Sequence, residues 1–513
     1  MITVTTEQEL IDAIAASEPE IDVGNDIALS TPLTINYELK LTSNGSVLSW
    51  TGTTNGTMFS IISGAAFTVG DIILDGLGAY ATLVSVIAST FIMNDLAILR
   101  NVRSNSSNNA VKVGRITDVG LGGTFLMNGG LITGIMLDAA VSCIGGTITM
   151  SGDAGISQNQ AYGIAIVNGT INMTGNSRIT ENVAARTGAG ILATEASIIN
   201  MGLSEDDAPQ ISQNESTTSY SGGVYLSSGS VLNMNYRASI TGNKAVSLAG
   251  GVGLSASTLN MDGDAIIGGN SAETGGGGGV FAASASEVNM AGNTAINGNS
   301  ITDGTGLGGG IYLQGSGTSL TMRELASIYG NEADNGAGIY LNTGTNLNMS
   351  ADATYSPYIY RNTAGSGGGG IYIADGATAA ISGESKINSN DAGVIGAGIC
   401  NMGLLNIAQG IQIEDGLYYN SQQKVPVITQ ALTESSLIQL EASDYMSPDN
   451  IPVVVAEKGD SYSELTETEC AAFNLPSPFP VGTPVYLNMT LNQVLAGMMI
   501  TINNATLKLT QIV

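Results

Sequence analysis

The sequence predicts an all-β protein that winds as a parallel β-helix, with an N-terminal capping helix and a β-rich C-terminal segment. Three short motifs recur in a fixed order from about residue 67 to residue 417, roughly every thirty residues. Self-similarity at this period marks a solenoid. Apolar and polar residues alternate inside each motif, as expected for strands. Each apolar run is short and ends at Gly, Asn or Ser, which indicates short strands and no helices.

The first twenty residues predict a cap. Thr6 and Glu9 form a Thr-x-x-Glu capping box, and the apolar residues that follow fall on one face of a helix. We expect a helix over about residues 7–16, within a cap of residues 1–20. Such a cap would cover the first coil, because an uncovered strand edge is an aggregation hazard.

The first motif is Ile-x-x-Asn. Its asparagines are predicted to lie at tight bends, since Asn tolerates the left-handed backbone conformation, with each amide bonded to the asparagine one coil away. The copies begin at Ile156, Ile179, Ile211, Ile240, Ile267, Ile296, Ile328, Ile359 and Ile387, with an earlier copy at Ile98–Asn101 and weaker ones at Ile73–Gly76 and Leu131–Gly134.

The second motif is a glycine pair or Gly-x-Gly before an apolar strand, and the third is an apolar-Asn/Thr-Met triplet. The second motif has its first apolar residue at Ile191, Val224, Val252, Val280, Ile311, Ile339, Ile371 and Ile399, spaced by 33, 28, 28, 31, 28, 32 and 28 residues. The triplets end at Met150, Met173, Met201, Met234, Met261, Met290, Met322 and Met349. Three strands in constant order predict one coil per repeat, so we assign residues 21–423 to the β-helix.

The repeat fades after Leu405-Asn406-Ile407, and the composition changes from about Lys424. Prolines reappear and longer apolar runs replace glycine in this part of the chain. Residues 424–513 are predicted to be a β-rich segment that continues or caps the coil, or a small separate module.

Composition excludes several functions. Forty-three acidic and fifteen basic residues give a net charge of −28, which repels nucleic acid. The chain has no histidine, so imidazole catalysis and histidine-based metal sites are excluded. Its three cysteines are too few for a disulfide framework or a zinc cluster. No signal peptide is evident, and the most apolar stretch, residues 81–93, is too short to span a membrane.

The repeats resemble those of a known group of surface proteins. Ile296-Asn-Gly-Asn299 followed by Gly308-Gly-Gly-Ile-Tyr312 looks like the Phe-x-x-Asn and Gly-Gly-Ala-Ile motifs of chlamydial polymorphic outer membrane proteins. It is equally similar to the β-helix repeats of adhesin-like surface proteins of anaerobic bacteria and archaea. The resemblance covers roughly residues 67–417. It implies a right-handed, single-stranded β-helix, an extracellular or cell-surface location, and an adhesive or stalk role, with no catalytic residue to carry over.

The second motif supplies the candidate binding residues. If its first apolar residue points inward, an aromatic ring points outward in five of seven coils: Tyr225, Phe281, Tyr312, Tyr340 and Tyr372. We call these five side chains the aromatic strip. Rings about 4.8 Å apart can stack on the sugars of a glycan or on a partner protein. Alternatively, they stack on one another and shield the sheet.

A carbohydrate-active enzyme, a polysaccharide lyase or a glycoside hydrolase, is the alternative function. Asp71 and Asp95 lie 24 residues apart, one coil, and alignment of Ile73 with Ile98 places Arg100 over Asp75. Carboxylates beside an arginine could hold Ca²⁺ or act as an acid/base pair. We favour a non-enzymatic protein without a cofactor. Weak calcium binding is the alternative for two acidic clusters, Glu205-Asp206-Asp207 and Asp262/Asp264.

Overall fold

The computed structural model describes residues 1–105, 108–114, 122–352, 354–419, 424, 426–433, 435–440 and 472, and the backbone of strands at 453–458, 473–474, 484–487, 498–503 and 506–511. The chain divides into two compact units. The first comprises residues 1–260 and 264–266, and the second residues 261–263 and 267–513. Each unit is a parallel β-solenoid, so the predicted fold class is confirmed. The right-handed sense of the coil stays a prediction.

One helix, α1, spans Glu7–Ala15, close to the predicted range. Its capping box is confirmed: the Thr6 hydroxyl accepts from the Glu9 N–H at 3.3 Å, and the Glu9 carboxylate accepts from the Thr6 N–H at 3.1 Å. The apolar face of α1 is buried, and the helix packs against the strands Ile27–Leu29 and Leu33–Ile35.

Three parallel sheets form the faces of each coil. The methionine face carries the triplet motif. In the first unit it contains Ile2–Val4, Glu20–Val23, Leu39–Ser43, Ala66–Gly70, Thr90–Met93, Thr124–Met127, Thr147–Met150, Thr170–Met173, Ile198–Met201, Val231–Met234 and Thr258–Met261. In the second unit it contains Glu287–Met290, Ser319–Arg323, Asn346–Ser350, Thr378–Ser382, Leu404–Gln409, Val427–Leu432 and Val453–Lys458.

The asparagine face carries the Ile-x-x-Asn motif. In the first unit it contains Ile27–Leu29, Val47–Trp50, the start of Ile73–Val86, Ile98–Arg103, Leu131–Thr133, Gly155–Ser157, Arg178–Thr180, Gln210–Ser212 and Ser239–Thr241, and the strand Ile266–Gly268 contains residues of both units. In the second unit it contains Ala295–Asn297, Ser327–Tyr329, Tyr358–Tyr360, Lys386–Asn388, the start of Gln412–Tyr419, Leu437–Leu440 and Phe473–Asn474.

The tyrosine face follows the glycine motif. In the first unit it contains Leu33–Ile35, Gly56–Ile61, the end of Ile73–Val86, Val111–Val113, Met136–Ile144, Gln160–Val167, Ile191–Thr194, Val224–Ser227 and Val252–Ser255. In the second unit it contains Val280–Ala283, Ile311–Gln314, Ile339–Leu341, Ile371–Ile373, Ile399–Asn401 and the end of Gln412–Tyr419.

A fourth, narrow sheet was not predicted, and it lies between the asparagine and tyrosine motifs in the chain. Its strands are Val183–Ala184, Glu215–Ser216 and Lys244–Ala245 in the first unit, and Ser271–Ala272, Ser300–Ile301, Glu332–Asn335, Thr363–Gly367 and Asp391–Ala392 in the second. Strands of only two to five residues carry too little alternation to be recognised from sequence.

Side chains of equivalent residues stack inside the coils. Met150, Met173, Met201 and Met234 are in register in the first unit, and all four are fully buried. Burial of such a side chain stabilises by roughly 1.5–3 kcal/mol. Near the N-terminus the column contains aromatic rings in place of aliphatic chains. Phe67 lies in register with Phe91, and the neighbouring ring centroids are 4.9–5.8 Å apart along Phe59, Phe67, Phe91 and Phe125.

The motif asparagines form a buried ladder. In the second unit, Asn331 Nδ2 donates to Asn362 Oδ1 at 2.9 Å and to the Ile296 carbonyl at 3.0 Å. The predicted amide bond from coil to coil is therefore confirmed. The predicted left-handed conformation is wrong, because it belongs to the preceding residue, for example Arg361 at φ 54° and Gly330 at φ 63°.

The three earliest motif copies do not align residue for residue with the later ones. In the copies at Ile73–Gly76, Ile98–Asn101 and Leu131–Gly134, the residue that aligns with the motif isoleucine of later coils is the second residue of the copy. The buried partner of Ile156 is Ile132, whose own partner is Leu99. Asn101 therefore aligns with the left-handed position before the ladder asparagine, and its own φ is 58°.

Parallel pairing continues beyond Lys424. The strand Val427–Leu432 pairs with Leu404–Gln409 and with Val453–Lys458, which in turn pairs with Pro484–Leu487. The last two strands, Met498–Asn503 and Thr506–Gln511, form an antiparallel hairpin. The described strands of residues 424–513 thus continue the coil and end it with antiparallel pairing, while the proposed domain boundary stays a prediction.

Candidate functional site

The aromatic strip lies in register on the tyrosine face. In the first unit Tyr225 pairs with Gly253, and its ring lies over this glycine, where a Cβ atom would approach Tyr225 Cδ2 to 3.1 Å. In the second unit the register runs from Phe281 through Tyr312, Tyr340 and Tyr372 to Cys400. The sequence therefore correctly predicted which residues align from strand to strand on the tyrosine face.

The rings differ in how much of their surface reaches solvent. Phe281 and Tyr312 are 9% and 7% exposed, whereas Tyr340 and Tyr372 are half-buried. The segment around Gly276 covers Tyr312, since a Cβ atom there would lie 2.3 Å from Tyr312 Cδ1. The accessible part of the strip in this unit is the Tyr340–Tyr372 pair.

The geometry of this pair determines what it can bind. The rings of Tyr340 and Tyr372 are parallel, 7° apart in plane, with centroids separated by 4.9 Å. Tyr312 meets Tyr340 edge-on, at 83° and 5.5 Å. Tyr340 therefore has a neighbour on each side, and the pair presents mainly ring edges and hydroxyl groups to solvent.

The hydroxyl groups remain protonated over a wide pH range. Burial, together with the neighbouring Tyr372 and Tyr312, raises the pKa of Tyr340 to about 12. Burial also raises the pKa of Tyr372 above its usual value of 10.0. The Tyr312 hydroxyl accepts a hydrogen bond from Asn342 Nδ2 at 3.1 Å, whereas no described protein group bonds the hydroxyls of Tyr340 and Tyr372.

The structure brings Asp75 and Arg100 together, as their alignment predicted. Arg100 Nε donates to Asp75 Oδ2 at 2.7 Å, and Asp75 is only 4% exposed. Asp75 also accepts from Asn101 Nδ2 at 3.0 and 3.1 Å and from the Leu77 N–H at 2.8 Å. Both carboxylate oxygens are thus occupied by protein donors, an arrangement that serves to fix the turn after Asp75.

Asp71 and Asp95 lie in successive coils, on the turn before this strand. The Asp71 N–H approaches the Asp95 carbonyl to 3.4 Å, and Asp71 has a left-handed φ of 50°. Asp95 is exposed to solvent. The spacing of 24 residues thus places the backbones of Asp71 and Asp95 next to each other in neighbouring coils, as expected.

Asp207, in the first of the two acidic clusters, has a local structural role. The Asp207 carboxylate accepts from the N–H groups of Gly175, Leu203 and Ser204 at 2.7–2.9 Å. Burial raises its pKa, but these hydrogen bonds outweigh burial and hold the pKa below its usual value. In the described part of the chain, no three acidic or cysteine side chains converge as a metal site would require.

Sequence reasoning missed a second group of tyrosines, on the asparagine face of the second unit. Tyr329 and Tyr360 stack at 4.8 Å and 16°, and Tyr358 stacks on Tyr360 at 4.2 Å. The Tyr329 hydroxyl accepts from Asn297 Nδ2 at 2.5 Å, and Arg361 lies over the Tyr360 ring at 5.9 Å. The available signal was an aromatic residue directly after the motif isoleucine in two successive coils.

In comparisons with known proteins, no family model, curated protein or solved structure matches the chain. The resemblance to adhesin-like repeats therefore depends on the motifs alone. Among the described residues, no helix has the length and apolar character needed to cross a bilayer.

Proposed function

We propose that the protein is a non-enzymatic adhesin-like or stalk protein of the cell surface, which binds a glycan or a surface protein along the tyrosine face. The observation that carries this proposal is the pair Tyr340 and Tyr372: parallel rings one coil apart, half-buried, with hydroxyls that no described protein group bonds. A carbohydrate is the favoured ligand. Phenol hydroxyls donate and accept hydrogen bonds, as sugar hydroxyls do, and the ring edges offer adjacent apolar surface.

The test measures the contribution of the two hydroxyl groups to binding while the rings are kept. The double variant Tyr340→Phe/Tyr372→Phe keeps the stack and removes both hydroxyls, so the fold should be retained. We expect binding on a glycan array, or to a panel of cell-surface proteins, to weaken by about tenfold or more, as for two lost hydrogen bonds.

The matched control is Tyr329→Phe/Tyr360→Phe, which changes the equivalent stacked pair on the asparagine face. This control should bind as the unmodified protein does. Equal binding by both double variants, or loss of binding in the control alone, would contradict the assignment of the ligand to the tyrosine face.

A further inference from the structure

A cavity of about 520 Å³ opens in the first unit. This volume lies in the range of roughly 300–1,000 Å³ that is typical of small-molecule sites. Its lining combines apolar, aromatic and polar groups with one charge of each sign: Tyr80, Ser104, Asn105, Leu137, Asp138 and Arg186. We propose that this cavity binds one neutral sugar residue, independently of the tyrosine-face site.

The rim of the cavity is held in a strained conformation. Leu137 has φ 93°, which is unfavourable for an L-residue, and its side chain is 61% exposed. Ser104 fixes the chain on both sides of it: the Ser104 N–H and Oγ donate to the Met136 carbonyl at 2.7 and 2.9 Å, and Oγ accepts from the Asp138 N–H at 2.8 Å. Strain of this kind concentrates at binding sites, and here it presents an apolar side chain beside polar groups.

The two charged side chains retain hydrogen-bonding capacity. Arg186 Nη1 lies 3.9 Å from Asp138 Oδ1, beyond hydrogen-bond distance, and the Arg186 side chain is 75% exposed. No described protein donor bonds the Asp138 carboxylate. Tyr162, which is 5% exposed, takes one hydrogen bond from Arg186 and stays neutral, because burial raises its pKa to about 12; a guanidinium group has five N–H donors, so others remain for a ligand.

The balance of charges selects the class of ligand. A sugar hydroxyl can donate to Asp138 and accept from Arg186, so a neutral polyol satisfies both groups. An acidic ligand would meet the Asp138 carboxylate and a chain of net charge −28, and a cationic ligand would meet Arg186. The ring of Tyr80 and the side chain of Leu137 offer apolar surface to the C–H groups of the sugar.

The experiment is a titration of the full chain, by calorimetry or ligand-observed NMR, with neutral monosaccharides, uronic acids and amino sugars. We expect a neutral sugar to bind. Asp138→Ala and Arg186→Met should each weaken binding by about tenfold or more, since each removes hydrogen bonds to a charged group. Asp153→Ala and Arg178→Met change exposed charges of the same unit and should leave binding unchanged.

Three results would overturn the inference: no neutral sugar binds, acidic or amino sugars bind more tightly, or Asp138→Ala and Arg186→Met bind as the unmodified protein does. The variant Tyr340→Phe/Tyr372→Phe should leave this binding intact. Failure of the cavity site is therefore distinguishable from failure of the tyrosine-face site.

Discussion

At the scale of single residues, the ladder asparagines are more important to the fold than their position at a turn suggests. Asn331 shows the pattern: it accepts two hydrogen bonds from the preceding asparagine and donates to the following one and to a backbone carbonyl. Asn299 N–H and Nδ2 both donate to Asn331 Oδ1, at 2.9 and 3.0 Å. At the end of the ladder, Asp415 accepts from the N–H and Nδ2 of Asn390 at 2.7 and 3.0 Å. A carboxylate suits this position because it needs no further acceptor.

We predict that Asn331→Ala destabilises the second unit strongly. It leaves two buried donors of Asn299 and the Ile296 carbonyl without partners, at roughly 1–3 kcal/mol for each group. The expected loss in the free energy of unfolding is at least about 3 kcal/mol, measured by chemical denaturation. The control, Asn348→Ala, removes an exposed asparagine and should change stability by less than about 0.5 kcal/mol. Equal losses in the two variants would refute the role of the ladder.

At the scale of structural elements, the asparagine and glycine motifs recur together because they meet in space. A Cβ atom on Gly310 would lie 3.0 Å from Asn331 Nδ2 and 2.6 Å from the Gly338 carbonyl. The same contacts recur at Gly338, with Asn362 and the Gly370 carbonyl. The glycine before the tyrosine-face strand is therefore required for the close approach of neighbouring coils, where any side chain would push the asparagine out of its ladder.

We predict that Gly338→Ala destabilises the protein by about 1–3 kcal/mol, as for overpacking of a rigid interior. The added methyl group would lie 2.4 Å from the Gly370 carbonyl oxygen, a backbone atom that cannot move without shifting the next coil. Thermal unfolding measures the effect. Gly155→Ala is the control, because its methyl group would have no neighbour closer than 3.4 Å and should change stability little. A stable Gly338→Ala variant would show that the coils can separate at this position.

At the scale of the whole chain, the regular repeats made the fold predictable from the sequence. The register of the early coils and the cavity were not predicted, because the sequence is irregular there. The motif spacing predicted the strand register of the methionine and tyrosine faces, and it aligned Arg100 with Asp75. The early copies were displaced by one residue because two apolar residues adjoin there, as in Ile98-Leu99, and only Leu99 is fully buried. The cavity was not predicted, because its lining residues lie between the recurring motifs, where the sequence does not repeat.

The pH dependence of stability is also a property of the whole chain. The chain has no histidine, so no side chain with an ordinary pKa titrates near neutrality, and stability should be nearly constant between about pH 5 and pH 9. On the acidic side, burial raises the pKa of Glu7, but hydrogen bonds from Ser30 and Thr31 outweigh it and leave this pKa lowered, as for Asp207. Both groups therefore favour the folded state above their unfolded pKa, and this contribution is lost as the pH falls through the folded values.

On the alkaline side, we predict a steep loss of stability between about pH 10 and pH 12. Tyr162 and Tyr340 have pKa values raised to about 12, from the ordinary tyrosine value of 10.0, so the folded state holds protons that the unfolded chain has already released. The contribution is fully present below pH 10.0 and disappears as the pH rises through the folded value, by up to roughly 2–3 kcal/mol for the buried Tyr162 and by less for Tyr340, which solvent screens. Chemical denaturation across this range measures the free energy of unfolding, and tyrosinate absorbance recorded in parallel measures the ionisation of the tyrosines.

Tyr340→Phe should reduce the loss of stability at alkaline pH, whereas Tyr355→Phe, which removes an exposed tyrosine, should not. Unchanged stability up to about pH 12 would show that these rings ionise as freely in the coil as in the unfolded chain.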